Sequence, residues 1–129
     1  MKEIKYRAWL KEKEMLVEVL GISFEEKYVR LPIESEPSDE YWWYETAWGF
    51  DEVELMQFTG LEDKNGVEIY EGDILINRHE EDTGEVVFED GSFFWETETF
   101  TQLLGEINDE IEVIGNIYEN HELIKEVTE

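Results

Sequence analysis

Short apolar runs separated by turn residues are the feature of this sequence that most restricts its fold. The clearest pair, residues 85–89 and 92–97, flanks the dipeptide Asp90-Gly91. Asp and Gly tolerate the positive φ angles of a two-residue turn, so these runs are predicted to form a β-hairpin. Further β-type runs bring the total to about five strands in roughly 70 residues: 53–58, 67–76 and 112–118. This spacing predicts a small closed or nearly closed barrel.

Several shorter segments of this half carry local signals. Residues 59–66 are predicted to be a turn, because Asn65-Gly66 suits positive φ. Gly72-Asp73 is predicted to be structural, with the aspartate accepting hydrogen bonds from backbone N–H groups. Residues 99–104 fit either one helical turn or a short strand. Asn120 is predicted to cap a final helical turn through residues 122–124.

The first 50 residues have a β pattern of their own. Residues 4–9 and 15–20 are predicted to pair as a hairpin across a polar turn. A third strand is predicted at residues 24–31, ended by Pro32, which cannot donate to a ladder. Residues 34–40 contain acids and turn formers, and are predicted to be a loop or linker. We therefore predict an N-terminal β-rich region with an acidic loop, residues 1–50, and a C-terminal barrel, residues 51–129.

The densest aromatic stretch lies between these two parts, and it contains Tyr41, Trp42, Trp43, Tyr44 and Trp48. Large aromatic side chains supply much of the buried area of a small protein, so one interpretation is a core or a lid over it. The other interpretation is a recognition patch, because Trp and Tyr dominate interface hot spots. Self-association would be the commonest form of such a contact.

The net charge of −25 is unevenly distributed. Residues 1–30 hold seven basic and six acidic side chains, whereas residues 31–129 hold three basic and 29 acidic ones. The acidic segment, residues 31–129, repels the phosphate backbone of nucleic acids, which argues against direct nucleic-acid binding. An acidic surface can also mimic DNA. Spread evenly over about 7,000 Å², however, the excess charge is about 2.5-fold sparser than that of duplex DNA, so mimicry requires acids gathered on one face.

Candidate chemistry is sparse. The chain has no cysteine, which excludes disulfides and thiolate metal sites and fits a reducing cytoplasm. It has no signal-peptide pattern and no apolar run long enough to span a membrane. His79 and His121 are predicted to be surface or loop residues, and the spacing around Asp63 differs from that of a calcium-binding loop. We therefore predict a non-enzymatic protein with no catalytic residue, metal or cofactor.

Three stretches resemble the YopX-like proteins of phages and prophages. The longest, residues 56–74, reads MQFTGLEDKNGVEIYEGDI and is similar to the central motif of that family. Residues 4–9 and 112–120 are similar to its N-terminal strand and its C-terminal signature. Two positions depart from the pattern. Leu10 replaces a polar turn residue, which predicts a strand longer by one residue, and His121 replaces a proline, which leaves the helix start to Asn120.

The resemblance implies a C-terminal barrel of the SH3 type, a phage or prophage origin and residence in the bacterial cytoplasm. It implies no activity, and the fold alone cannot supply one. Three hypotheses follow. The first is a non-enzymatic accessory protein that contacts another protein, either a host protein or further copies of itself. The others are an acidic DNA mimic that inhibits a host DNA-binding protein, and a carboxylate-metal enzyme.

Overall fold

A computed structural model of the chain describes residues 3–34 and 46–128, and in them the fold is mainly β, which confirms the predicted class. The chain forms two compact units: Lys5–Met56, and Gln57–Glu129 together with Met1–Ile4. The predicted division into an N-terminal region, residues 1–50, and a C-terminal barrel, residues 51–129, stays a prediction. None of the described helices has both the length and the apolar character needed to cross a bilayer.

The N-terminal unit consists of short antiparallel strands. Its first sheet has the order β2-β1-β6 and its second the order β3-β4-β5. A 3-10 turn, Phe50–Glu52, leads into β6. The strands are β1 (Tyr6–Leu10), β2 (Met15–Glu18), β3 (Gly21–Ser23), β4 (Tyr28–Arg30), β5 (Ala47–Gly49) and the beginning of β6 (Val53–Glu62).

The predicted first hairpin is confirmed, with Ala8 opposite Val17 in the register of β1 and β2. β1 extends to Leu10, as the departure from the family pattern predicted, and the Leu10 side chain is fully buried. It belongs to an apolar core that spans both sheets of the unit. The buried members of this core are Ala8, Leu10, Val17, Val29, Leu31, Trp48 and Val53.

The prediction of one strand at residues 24–31 is wrong, because residues 24–27 form the turn between β3 and β4, and only Tyr28–Arg30 of the predicted range is strand. Lys27 has a φ of 58°, and the Ser23 hydroxyl accepts a hydrogen bond from the Glu26 N–H at 3.1 Å. Ser side chains compete for backbone donors in this way and favour turns over strands. The apolar Phe24, which suggested a strand, is 73% exposed at this turn.

The C-terminal unit contains the rest of β6 paired with β7, and a separate five-stranded antiparallel sheet of order β11-β10-β9-β8-β12. A 3-10 turn, Asn108–Glu110, precedes β12. The elements are β7 (Glu68–Tyr70), β8 (Asp73–Asn77), β9 (Asp82–Glu89), β10 (Ser92–Thr97), β11 (Thr101–Leu103), α1 (Leu104–Ile107), β12 (Glu112–Asn116) and α2 (His121–Thr128).

β6 continues beyond its predicted end at residue 58 and reaches Glu62. Gly60 has a φ of 86°, and the pairing of β6 with β7 shifts register between Phe58 and Glu62. A glycine at positive φ allows a bulge that bends a strand without ending it. The true turn therefore begins only at Asp63.

The hairpin predicted around Asp90-Gly91 is confirmed. Both residues have positive φ, 50° and 80°, and Glu89 pairs with Ser92. On β10, the Trp95 indole is buried and donates a hydrogen bond from Nε1 to the Leu75 carbonyl at 3.2 Å. It approaches Gly84 on β9 closely and belongs to the apolar core of this unit. The buried members of that core are Ile69, Leu75, Val86, Trp95, Leu104, Ile107 and Ile111.

Replacing Gly84 by Ala is expected to destabilise the protein. A Cβ atom at Gly84 would lie 2.5 Å from the Glu96 carbonyl oxygen and 2.9 Å from Trp95 Nε1. The first of these atoms belongs to the backbone and cannot move aside, so we expect a loss of about 1–3 kcal/mol in the free energy of unfolding. Denaturant titration measures it.

Gly105→Ala is the matched control for this change. A Cβ atom at Gly105 would meet nothing nearer than Leu61 at 4.0 Å, and the residue lies in α1. The control is expected to leave stability unchanged or to raise it by up to about 1 kcal/mol. Equal losses in the two variants would contradict the proposed crowding at Gly84.

Candidate functional site

The aromatic residues predicted as an interaction patch divide into two groups. Tyr41, Trp42, Trp43 and Tyr44 lie outside the described residues, so their role stays a prediction. Trp48 lies on β5 in the core of the N-terminal unit, where its side chain is 3% exposed. Its Nε1 donates to the Ile33 carbonyl at 3.2 Å. Trp48 thus contributes buried area and a hydrogen bond within its own unit.

Asp63 is the most connected side chain of the central motif. Its Oδ1 accepts hydrogen bonds from the N–H groups of Asn65 and Val67, at 2.8 and 2.9 Å. Its Oδ2 accepts one from the N–H of Val113 on β12, at 2.8 Å. Charge-assisted bonds to backbone donors are stronger than neutral ones. Both oxygens of this buried carboxylate are therefore committed to joining the β6–β7 turn to β12.

Asp73 and Asn116 have similar structural roles. Asp73 is 1% exposed, and its Oδ2 accepts a bond from the Tyr70 N–H at 2.8 Å beside Gly72, whose φ is 87°. This confirms the structural interpretation of Gly72-Asp73. The Asn116 side-chain oxygen accepts bonds from Tyr118 and Glu119, each at 2.9 Å. The polar residues of the family motifs thus fix turns.

An open pocket of about 700 Å³ lies within the C-terminal unit beside Phe58 and Leu61. It is strongly acidic, since the described residues that line it include five carboxylates and no Lys, Arg or His. The five carboxylates are those of Glu3, Glu62, Asp63, Glu68 and Asp109. Such a pocket repels phosphates and other anions. Within the described residues, no group of three or more His, Asp or Glu side chains is arranged to hold a metal ion.

The two histidines lie apart from these groups. His79 is exposed in the turn between β8 and β9, where its backbone N–H donates to Asn77 at 3.1 Å. His121 is exposed at the first residue of α2. Both positions confirm the prediction of surface or loop histidines. Asn120 directly precedes the helix, but its side-chain oxygen accepts a bond from the Asn116 N–H at 3.2 Å, so this bond is not the predicted helix cap.

Two carboxylates lie opposite each other on neighbouring strands of the five-stranded sheet. Glu85 on β9 lies directly opposite Glu96 on β10. Burial raises the pKa of Glu85, and the negative charges of Glu96 and Glu71 raise it further. Like charges directly opposite each other destabilise a strand pair. The sequence showed these acids but not their pairing, which depends on the register of β9 and β10.

Exposed apolar side chains lie on β9, on β11 and in the loop between β10 and β11. Phe88 is 49% exposed and its ring stacks on Phe93 at a centroid distance of 4.9 Å. Phe100 is 38% exposed and contacts Trp95 edge to face at 5.8 Å. Leu103 on the edge strand β11 is 39% exposed. Sequence analysis missed this surface, because residues 99–104 fitted a helical turn equally well.

Asp63→Ala is expected to lower the free energy of unfolding by roughly 2–4 kcal/mol, because it leaves three backbone N–H groups without their acceptor. Urea titration measures the loss. Asp109→Ala is the control, since Asp109 lines the same pocket but is exposed. If addition of Mg²⁺ stabilised the wild-type protein and not Asp63→Ala, a metal-binding role for Asp63 would replace the structural one.

Glu85→Gln is expected to raise the melting temperature at pH 7, because it removes a repulsion worth about 0.2–1 kcal/mol. The raised pKa means that the folded state binds this proton more tightly than the unfolded state does. As the pH falls through the raised pKa toward the ordinary value of 4.5, Glu85 becomes protonated and its repulsion is lost. The difference in stability between the wild-type protein and the variant is therefore expected to shrink.

The control for the Glu85 variant is Glu89→Gln on the same strand, where the residue directly opposite is Ser92. Thermal unfolding of both variants should be followed from neutral to acidic pH. A gain in stability that is the same for the two variants, or that does not shrink on acidification, would contradict the assigned repulsion.

Comparison with known proteins supplies a family. The profile of the YopX protein family matches residues 5–125. The crystal structure of protein EF1440 from Enterococcus faecalis is similar over 96% of this chain and 99% of that chain, with 30% identity and a TM-score of 0.70. The crystal structure of the protein YopX from Bacillus subtilis covers 96% of this chain and 97% of that one, with 22% identity and a TM-score of 0.59.

No curated protein matches the sequence. The family match extends over both compact units and includes the central motif with Asp63, Gly72 and Asp73. The structural similarity to the Enterococcus faecalis protein extends over nearly the whole of both chains. The resemblance predicted from the three sequence stretches is therefore confirmed, and the chain belongs to the YopX family.

Proposed function

We propose that this protein is a non-enzymatic accessory protein of a phage or prophage, and that it works in the bacterial cytoplasm by contacting another protein. The observation that carries the proposal is a set of exposed apolar side chains on the five-stranded sheet: Phe88 on β9 and Phe100 before β11 lie on one face, and Leu103 on β11 lies on the other. Exposed apolar side chains grouped on one sheet are typical of contact surfaces. The partner is a host protein or a further copy of the chain.

The use of the motif residues supports a role without chemistry. The carboxylates of Asp63 and Asp73 accept hydrogen bonds from backbone N–H groups. A catalytic carboxylate needs an oxygen directed at a substrate or at a neighbouring catalytic group. The family relationship supports the phage or prophage origin, and relatives from Bacillus subtilis and Enterococcus faecalis fit a bacterial setting.

We also propose that the C-terminal unit is a barrel of the SH3 type. Strands β8, β9 and β10 follow one another as an antiparallel meander, and β12 returns after a short helical turn to pair with β8. Small barrels of this kind are scaffolds whose function depends on the surface placed on them. This is consistent with a protein that acts through contact.

A second candidate is an acidic inhibitor that mimics DNA. Residues 57–129 contain 21 acidic and three basic side chains, a difference of −18. The pairing of Glu85 with Glu96 on one sheet brings part of this charge together. This candidate requires a DNA-binding protein as the partner, and it requires duplex DNA to displace the protein from that partner.

Affinity capture from a lysate of the bacterial host, at low and at high salt, tests these proposals. We expect wild-type protein to retain a specific partner, which mass spectrometry identifies, and light scattering to show whether the protein associates with itself. Contact through apolar side chains survives high salt, whereas mimicry of DNA does not. A strictly monomeric protein that captures nothing at either salt concentration would refute the accessory-protein proposal.

A further inference from the structure

The two edges of the five-stranded sheet in the C-terminal unit differ in whether another part of the chain covers them. At β12, the Val113 N–H donates to Asp63 at 2.8 Å, and the Lys64 N–H donates to the Ile111 carbonyl at 3.0 Å. The β6–β7 turn therefore covers that edge. At the opposite edge, β11 ends the sheet and, among the residues that the structure describes, pairs with β10 alone. An uncovered strand edge is a template for pairing with another chain.

The register of β11 determines which backbone groups face outward. Thr97 donates its N–H to the Phe100 carbonyl at 2.8 Å, and Trp95 pairs with Gln102. Hydrogen-bonded and non-hydrogen-bonded pairs alternate along an antiparallel ladder. Gln102 therefore directs its N–H and carbonyl toward β10. Thr101 directs its N–H and carbonyl away from the sheet, and Leu103 directs its N–H away from the sheet. Thr101 and Leu103 are exposed.

Two rows of side chains reach this edge on the same face of the sheet. One is apolar, because Leu103 lies opposite Phe94 and Phe94 opposite Val87. The other is acidic. It places Thr101 opposite Glu96, which lies opposite Glu85. Residues two apart on a strand share a face, so a strand added beside β11 would meet the apolar row and then the acidic row.

Charge determines which occupant this edge favours. Residues 79–124 contain 14 acidic side chains and no Lys or Arg. Burial is the main cause of the raised pKa of Glu85, and the negative charges of Glu96 and Glu71 raise it further. A cationic side chain opposite Thr101 would relieve that repulsion. A second copy of the chain, with its own net charge of −25, would bring further negative charge to the edge.

We propose that β11 accepts an extended, lysine- or arginine-bearing segment of a partner protein as an additional antiparallel strand of the sheet. The segment exchanges backbone hydrogen bonds with Thr101 and Leu103, directs a cationic side chain toward Glu96, and packs an apolar side chain on Leu103. The backbone bonds provide affinity and the two side-chain rows provide specificity. This inference rests on the proposed function and specifies its surface.

The probe is a synthetic peptide of about six residues in which a lysine follows a valine with one threonine between them, so that both side chains lie on the same face of the added strand. It is added to the full chain. We expect saturable binding that protects the Thr101 and Leu103 amides from hydrogen exchange and weakens at least several-fold from low to physiological salt. The same peptide with glutamate in place of lysine is not expected to bind. Protection of other amides in place of these two would overturn the proposal.

Two variants test the two parts of the recognition. Thr101→Pro removes an outward N–H at an edge position, where proline is tolerated, and is expected to weaken binding about ten-fold or more. Glu96→Gln is expected to weaken it several-fold. Glu81→Gln, in the turn between β8 and β9, is the matched charge control and should bind as the wild type does. Equal weakening by Glu81→Gln and Glu96→Gln would overturn the acidic-row assignment.

A peptide methylated on the backbone nitrogens that face β11 tests the same bonds against wild-type protein, so the result does not depend on the folding of Thr101→Pro. Undiminished binding of the methylated peptide would overturn the proposal. The lysate experiment separates this inference from the proposed function. If folded Thr101→Pro captures the wild-type partners fully, the β11 surface is wrong and the accessory role stands, whereas capture of nothing by wild type refutes that role itself.

Discussion

The carboxylate of Asp63 joins parts of the C-terminal unit that are distant in sequence. It accepts bonds from Asn65 and Val67 within its own turn and from Val113, fifty residues further along the chain. A buried charge is tolerated only when its hydrogen-bonding capacity is satisfied. The turn, the course of β12 and the covered edge of the sheet therefore depend on one side chain, which accounts for a polar residue at the centre of the motif.

Structure followed the sequence most closely where the signal was local. Asp90-Gly91 specifies its hairpin through two backbone angles, and Leu10 extends β1 because the N-terminal core receives its side chain. The predictions failed where one residue changed the course of the chain. The Ser23 hydroxyl and the positive φ of Lys27 stabilise a turn at the start of the predicted third strand, and Gly60 allowed β6 to bend and continue.

The candidate surface was harder to predict from the sequence than the fold was. Thr101, Glu96 and Glu85 are separated along the chain, and only the register of three strands places them in one row. The order of strands in a sheet is a tertiary property, so no local pattern identifies β11 as an edge. Trp48 illustrates the reverse case, since an aromatic residue prominent in the sequence proved to belong to the core.

The packing of Trp95 across Gly84 has a consequence for how sequences of this family can diverge. The Trp95 ring nitrogen lies 2.9 Å from the place where any larger residue at position 84 would put its first side-chain atom, and the Glu96 carbonyl oxygen lies closer still. The two positions are therefore expected to covary. A relative that carries a bulkier residue at position 84 should carry a smaller one at position 95 and have a wider spacing between the two strands. In an alignment, this pair of positions therefore reports the local geometry of the sheet.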